Sequence, residues 1–314
     1  MSNIKIMVDA IIPLVVYALA GVLAYKVFRF GKAELSAISK IIFNVLMPCL
    51  VFRTSYKSHL DGTSLTSLCL TYTGFTIVWI LISVVIAKKV CSRNDTAAAF
   101  AACQWKTNFS LIGLAIAADV MTDEGYACFA ALVIVGTALL NILIVVVTTV
   151  MVDSERGVDF RSLFLKILKN PIIIGTVLGL ILKMLPVGLP DFAYAPINGF
   201  ASATTPVSLF YIGCSIATGH DVRNTKPLII LTLVKFLVAP TFAVLFSMLV
   251  GLKGPALGAM CLIHALPVAS NCGILVEGSG GDGAFANEAT FITMLVSIPT
   301  LFVTGIILLT QGWI

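Results

Sequence analysis

Charge is what this sequence has least of: only 11% of its 314 residues are Asp, Glu, Lys or Arg, while 59% are hydrophobic. So little charge cannot cover a water-facing surface, which excludes an ordinary soluble fold and makes lipid the expected solvent. Long polar stretches are lacking too. The longest, residues 153–170, sits near the middle, so no large domain is expected outside the bilayer. There is no C-x-x-C pair, and Cys69, Cys103, Cys128, Cys214, Cys261 and Cys272 fall in apolar runs, where cysteine is a small packing residue. Cys261 and His264 alone are too few ligands for a metal site. Neither an H-E-x-x-H pattern nor a nucleophile elbow occurs, which argues against an enzyme, and no cofactor is expected. The net charge of +5 comes from scattered Lys and Arg without interleaved aromatics, so nucleic acid is not an expected partner. Gly278-Ser-Gly-Gly-Asp-Gly283 matches the G-x-G-x-x-G nucleotide-binding pattern but follows an apolar run with no βαβ unit, and reads as a loop between spans.

What is present is a series of apolar windows. They predict an all-α integral membrane protein with ten spans, at about 7–25, 37–54, 65–87, 97–118, 126–151, 171–187, 195–217, 228–250, 255–276 and 285–310. The first imitates a secretory signal, with Lys5 and Ala18-Leu19-Ala20, but its apolar run continues to Tyr25 and is read as a structural span. With the N-terminus outside, the inner loops hold 13 Lys or Arg against 5 on the other face, which predicts that both termini are extracytoplasmic. Pro13, Gly21, Pro48 and Phe52 recur as Pro171, Gly179, Pro206 and Phe210, all at an offset of 158. This self-similarity predicts two five-span halves, 1–152 and 171–314, joined by a cytoplasmic linker at 153–170. An odd number of spans per half inverts the second copy relative to the first.

Interrupted spans mark where chemistry sits, because unpaired backbone groups are costly in hydrocarbon. The fourth and ninth spans both carry polar residues at mid-depth, Thr107-Asn108 and Ser270-Asn271, related by an offset of 163. Pro267, Gly113 and Gly273 are the expected helix-breaking residues. If the two spans cross, their half-helix N-termini converge on one point and favour a carboxylate there. Asn supplies donors and an acceptor without the desolvation cost of a charge. The bland alternative is bonding between helices. Lys106, a cation inside a span, either attracts the anion or runs its stem along apolar surface, whereas Lys235, nine residues beyond Lys226, is too deep for that and is expected in a substrate or counter-ion role. Gln104, Glu277 and Glu288 are candidates for binding Na⁺ or carrying a proton, with Glu288 alternatively biasing a helix N-terminus. Gly175-x3-Gly179 and Gly254-x3-Gly258 are expected to permit close packing.

Asn44-Val-Leu-Met-Pro-Cys-Leu-Val-Phe52, Lys169-Asn-Pro-Ile-Ile-Ile-Gly-Thr-Val-Leu-Gly179, Pro206-Val-Ser-Leu-Phe-Tyr-Ile-Gly213 and Ala265-Leu-Pro-Val-Ala269 resemble the auxin efflux carrier family over essentially the whole chain. That family includes bacterial malate and malonate permeases and plant auxin exporters. The resemblance implies crossing broken helices 4 and 9, with Asn108 and Asn271 as crossover asparagines. It also implies a homodimerising scaffold of spans one, two, six and seven against which the other spans move. An elevator-type transporter of a small organic anion in the plasma membrane follows as an expectation. The alternatives are Na⁺-coupled symport, as in the related bile-acid carriers, and a membrane receptor that binds without translocating. The chain departs from the family at Ile112-Gly113-Leu114-Ala115, where many members have a proline.

Overall fold

The structure is a computed structural model that describes residues 2–56, 66–153, 169, 171–184, 188–217 and 225–313. The linker expected at 153–170 lies, except for Asp153 and Lys169, outside the described residues.

Among the described residues the fold is all helical. Helix α1 is Ser2–Phe28; α2, Lys32–Ile41, passes through a π turn at Ile42–Leu46 into α3, Met47–Tyr56; and α4 is Thr66–Val90. Helix α5, Asn94–Trp105, stops short. After a non-helical stretch, a π turn at Phe109–Gly113 leads into α6, Leu114–Val120, and then α7 is Asp123–Val152. The second part of the chain holds α8, Pro171–Met184, and α9, Asp191–Ala217. Helix α10, Thr225–Leu233, continues through a π turn at Val234–Val238 into α11, Ala239–Leu249. It ends with α12, Pro255–Ala265, α13, Cys272–Gly278, and α14, Gly283–Thr310.

Among the described residues, five helical stretches are long and apolar enough to cross a membrane: Ala33–Arg53, Thr66–Val90, Asp123–Val152, Thr225–Leu249 and Gly283–Thr310. Their outward faces are as greasy as their inward ones. On α4, Phe75 and Trp79 are buried, yet Leu70, Ile77, Leu81 and Val85 are all at least half exposed. A helix that is apolar all round, with aliphatic side chains on its open face, is matched to lipid rather than water.

Two glycine contacts set the closest helix approaches. A Cβ at Gly21 of α1 would lie 2.0 Å from the Phe210 carbonyl oxygen of α9, and one at Gly213 of α9 would lie 1.8 Å from the Ala18 oxygen of α1. The contact is reciprocal and made by backbone on both sides, so neither helix can yield without separating. Gly175 of α8 likewise sits against the Pro48 oxygen of α3, and Gly258 of α12 against the Trp313 oxygen. Gly254 does not pack: its φ is +53° with nothing within 4 Å, so it makes the turn into α12 instead.

Gly213→Ala should therefore lower stability by about 1–3 kcal/mol, read as a drop in the thermal midpoint in detergent. Gly199→Ala, in the same helix with open space around it, should not lower it.

Candidate binding site at two helix breaks

Among the described residues the chain leaves helical geometry twice at buried positions. In the second half the cause is local. The residue before a proline is pushed out of the helical region, and Leu266, before Pro267, has ψ 152°, ending α12 at Ala265. At the break in the first half no proline is present, and α5 ends at Trp105 with Lys106 at ψ 88° and Asn108 at ψ 54°.

What holds the first break open is the second. The two segments run antiparallel and bridge at Thr107 and Val268. The Asn108 N–H donates to the Pro267 carbonyl at 2.9 Å, and the Ala269 N–H donates to the Lys106 carbonyl at 2.9 Å. The Val268 N–H donates to Thr293 Oγ1 at 3.1 Å. Backbone groups that lost their helical partners thus find new ones in each other. The breaks differ in length. The preceding helices end 160 residues apart (265 − 105), but the following ones begin 163 apart (272 − 109), so the second break carries three extra residues.

The carbonyls at the end of α5 are met by side chains. Lys235 Nζ, from the π turn between α10 and α11, donates to the Cys103 oxygen at 3.0 Å and the Gln104 oxygen at 3.3 Å. Trp79 Nε1 donates to the Gln104 oxygen at 3.4 Å. A cation on the negative end of a helix dipole is favourably placed. This corrects one expectation: Lys235 is fully buried and does not line the cavity. It caps a helix that ends inside the protein. Gln104 belongs to the same cluster, its amide donating to the Leu231 oxygen at 3.1 Å.

At the breaks lies a cavity of about 330 Å³. One wall carries Lys106, Thr107, Asn108, Ser270 and Asn271, all of them expected from the sequence. Asn108 and Asn271 each occupy the N-cap position of the following helical segment, yet neither side chain makes the usual capping bond. Among the described residues the side chains of Thr107, Asn108, Ser270 and Asn271 have no protein partner, and Asn271 Oδ1 is buried without one. Lys106 Nζ donates to Asn141 Oδ1 at 2.7 Å and stands 5.7 Å from the centroid of the Phe109 ring. The facing wall comes from α1, α3 and α9, with Tyr17, Arg53, Ser202 and Thr205.

The remaining expected residues are elsewhere. Gly113 and Gly273 lie inside helical turns and are packing residues, not breaks: a Cβ at Gly113 would meet Phe129 at 2.6 Å, and one at Gly273 would meet Asn287 Oδ1 at 1.9 Å. Glu277, at the far end of α13, accepts from Ser39 Oγ and Tyr211 Oη, both at 3.0 Å, tying α13 to α2 and α9. Glu288 is half-buried in the second turn of α14, and neither glutamate nor Gln104 lines the cavity. Sequence reading missed Asn141, Arg53 and Ser202. Asn141 had a signal, a lone amide in the apolar run of α7. Arg53 fell at a window edge and was counted as a loop charge.

The sequence profile of the family described as Membrane transport protein matches residues 6–304. The match covers nearly the whole chain, so the protein belongs to this family, that of the auxin efflux carriers, and is a membrane protein. No curated protein matches the chain.

The two lysines separate in experiment. Lys235→Met takes the side-chain donor from the Cys103 carbonyl and leaves the Gln104 carbonyl with Trp79 alone, and should cost about 1–3 kcal/mol of stability. Ligand affinity of the folded fraction should be unchanged. Lys106→Met should do the reverse, lowering affinity for an anionic ligand more than it lowers the thermal midpoint. Both effects are read from ligand-dependent thermal shifts.

Proposed function

We propose that this protein is a secondary transporter of a small organic anion carrying a carboxylate, bound between the two breaks. The observation that carries the reading is the set of four polar side chains, Thr107, Asn108, Ser270 and Asn271, facing a cavity with no protein partner. Polar groups in that condition are costly unless a ligand or water completes them. Amide N–H donors, a nearby ammonium and the N-terminal end of a helical segment all favour negative charge.

The architecture proposed is ten spans in two inverted five-span halves, 1–152 and 171–314, with a cytoplasmic linker between them. Both termini face outward from a plasma membrane. In support, α1 packs on α9 and α3 packs on α8, the pairing that a two-fold axis exchanging the halves requires. The cavity lies between α1, α3 and α9 on one side and the crossing breaks on the other. That is the geometry an elevator needs: one bundle carries the anion past a fixed wall. The resemblance adds dimerisation of the fixed bundle. Proton or Na⁺ coupling through Gln104, Glu277 and Glu288 is not favoured by placement, since the three do not share the cavity.

The test is counterflow of a labelled carboxylate into liposomes. Asn108→Ala with Asn271→Ala should abolish uptake and weaken binding by roughly 10²–10⁴-fold, at about 1.5–3 kcal/mol for each hydrogen bond to a charged group. The double variant should keep a near-normal thermal midpoint. Uptake at the unaltered rate would refute the site. Ligand binding without counterflow would instead indicate a receptor.

A further inference from the structure

The cavity holds more positive charge than one carboxylate answers. Arg53 and Lys106 both line it, and among the described residues no Asp or Glu does. No ion pair joins either cation to an acidic side chain among the described residues. The two cations come from different walls: Lys106 from the broken end of α5, Arg53 from α3. Arg53 is also fixed in place. Its Nη1 donates to Asn198 Oδ1 at 3.1 Å and to Ser202 Oγ at 2.8 Å, both on α9. A guanidinium has five N–H donors in a rigid fork, so the edge formed by Nε and Nη2 keeps its capacity for a second acceptor.

Two cations lining one small cavity, Lys106 buried and Arg53 half-buried, repel each other unless a ligand compensates both. A monocarboxylate can neutralise one. We propose that Arg53 is the specificity-determining residue of this site, binding the second acidic group of a small dicarboxylate whose first is held by Lys106 and the crossover amides. The inference rests on the carboxylate reading above and narrows it. It assigns a role to a residue on the fixed wall, so the second group is engaged only while the carrier is in this state. A cavity of about 330 Å³ is at the small end for ligand sites and suits a molecule of a few carbons.

The experiment compares succinate with butyrate, equal in carbon number and different by one charge, on full-length protein in detergent by calorimetry. The unaltered protein should bind succinate more tightly. Arg53→Gln should weaken succinate about tenfold or more, to the level of butyrate, and leave butyrate nearly unchanged. Arg53→Lys, which keeps the charge but not the fork, should fall between; it also carries the test if Arg53→Gln does not fold. Equal binding of both acids by the unaltered protein overturns the proposal. So does a substitution that weakens both acids alike, or neither. Failure of both acids to bind the unaltered protein overturns the carboxylate reading itself, and is distinguishable because it appears before any substitution is made.

Discussion

A peptide group in hydrocarbon must have a hydrogen-bond partner, and the rest of this structure follows from how that demand is met where two helices stop in mid-protein. Each break leaves carbonyls at the end of one helix and N–H groups at the start of the next. The protein meets the demand in three ways. The breaks bond to each other through Asn108 and Ala269. Side chains from other helices, Lys235, Trp79 and Thr293, take up further groups. The side chains nearest the crossing are left facing a cavity, available to a ligand.

This arrangement explains why fixed and variable parts fall where they do. Lys235 and Lys106 are chemically the same residue at similar burial, yet one is committed to carbonyls and the other stands in the cavity. The difference lies in which groups the neighbouring helix ends expose. Around the crossing the packing is dense: Cys103 and Cys272 sulfurs are 3.8 Å apart, and Gly113 and Gly273 admit neighbours that any larger residue would displace. On the other side of the cavity, α1 and α9 interlock through backbone contacts at Gly21 and Gly213, giving a wall that moves as a unit if it moves at all. Glu277 is a tie between the two sides through Ser39 and Tyr211.

Much of this was legible because lipid restricts the alphabet. Helix positions follow from apolar windows, and Thr107-Asn108 and Ser270-Asn271 stood out as polar pairs where the environment penalises them. Pro267 announced its break through a steric rule that acts on one neighbour, Leu266. The break at Lys106–Asn108 has no such local cause; it is imposed by pairing with the other segment, and tertiary pairing is invisible in a window. The same blindness misplaced Lys235, since depth in a span says nothing about which way a long side chain turns. Gly113 and Gly273 were assigned to breaks because glycine disfavours helices, but here their lack of a Cβ serves packing inside helical turns. Arg53 was hidden for a different reason: charge counting assigns a residue at a span's edge to the loop, whereas a long side chain there reaches across to Asn198 and Ser202 on α9.

The most direct test of the account is a crosslink at the crossing itself. Thr107 and Val268 face each other as a non-hydrogen-bonded antiparallel pair, the geometry in which Cα atoms come closest, at about 4.5 Å. With the eight native cysteines replaced, Thr107→Cys with Val268→Cys should form an intramolecular disulfide on mild oxidation, detected by mass spectrometry of peptides from both segments. Recovery of both positions as free thiols from folded protein would contradict the crossing, and with it the site built upon it.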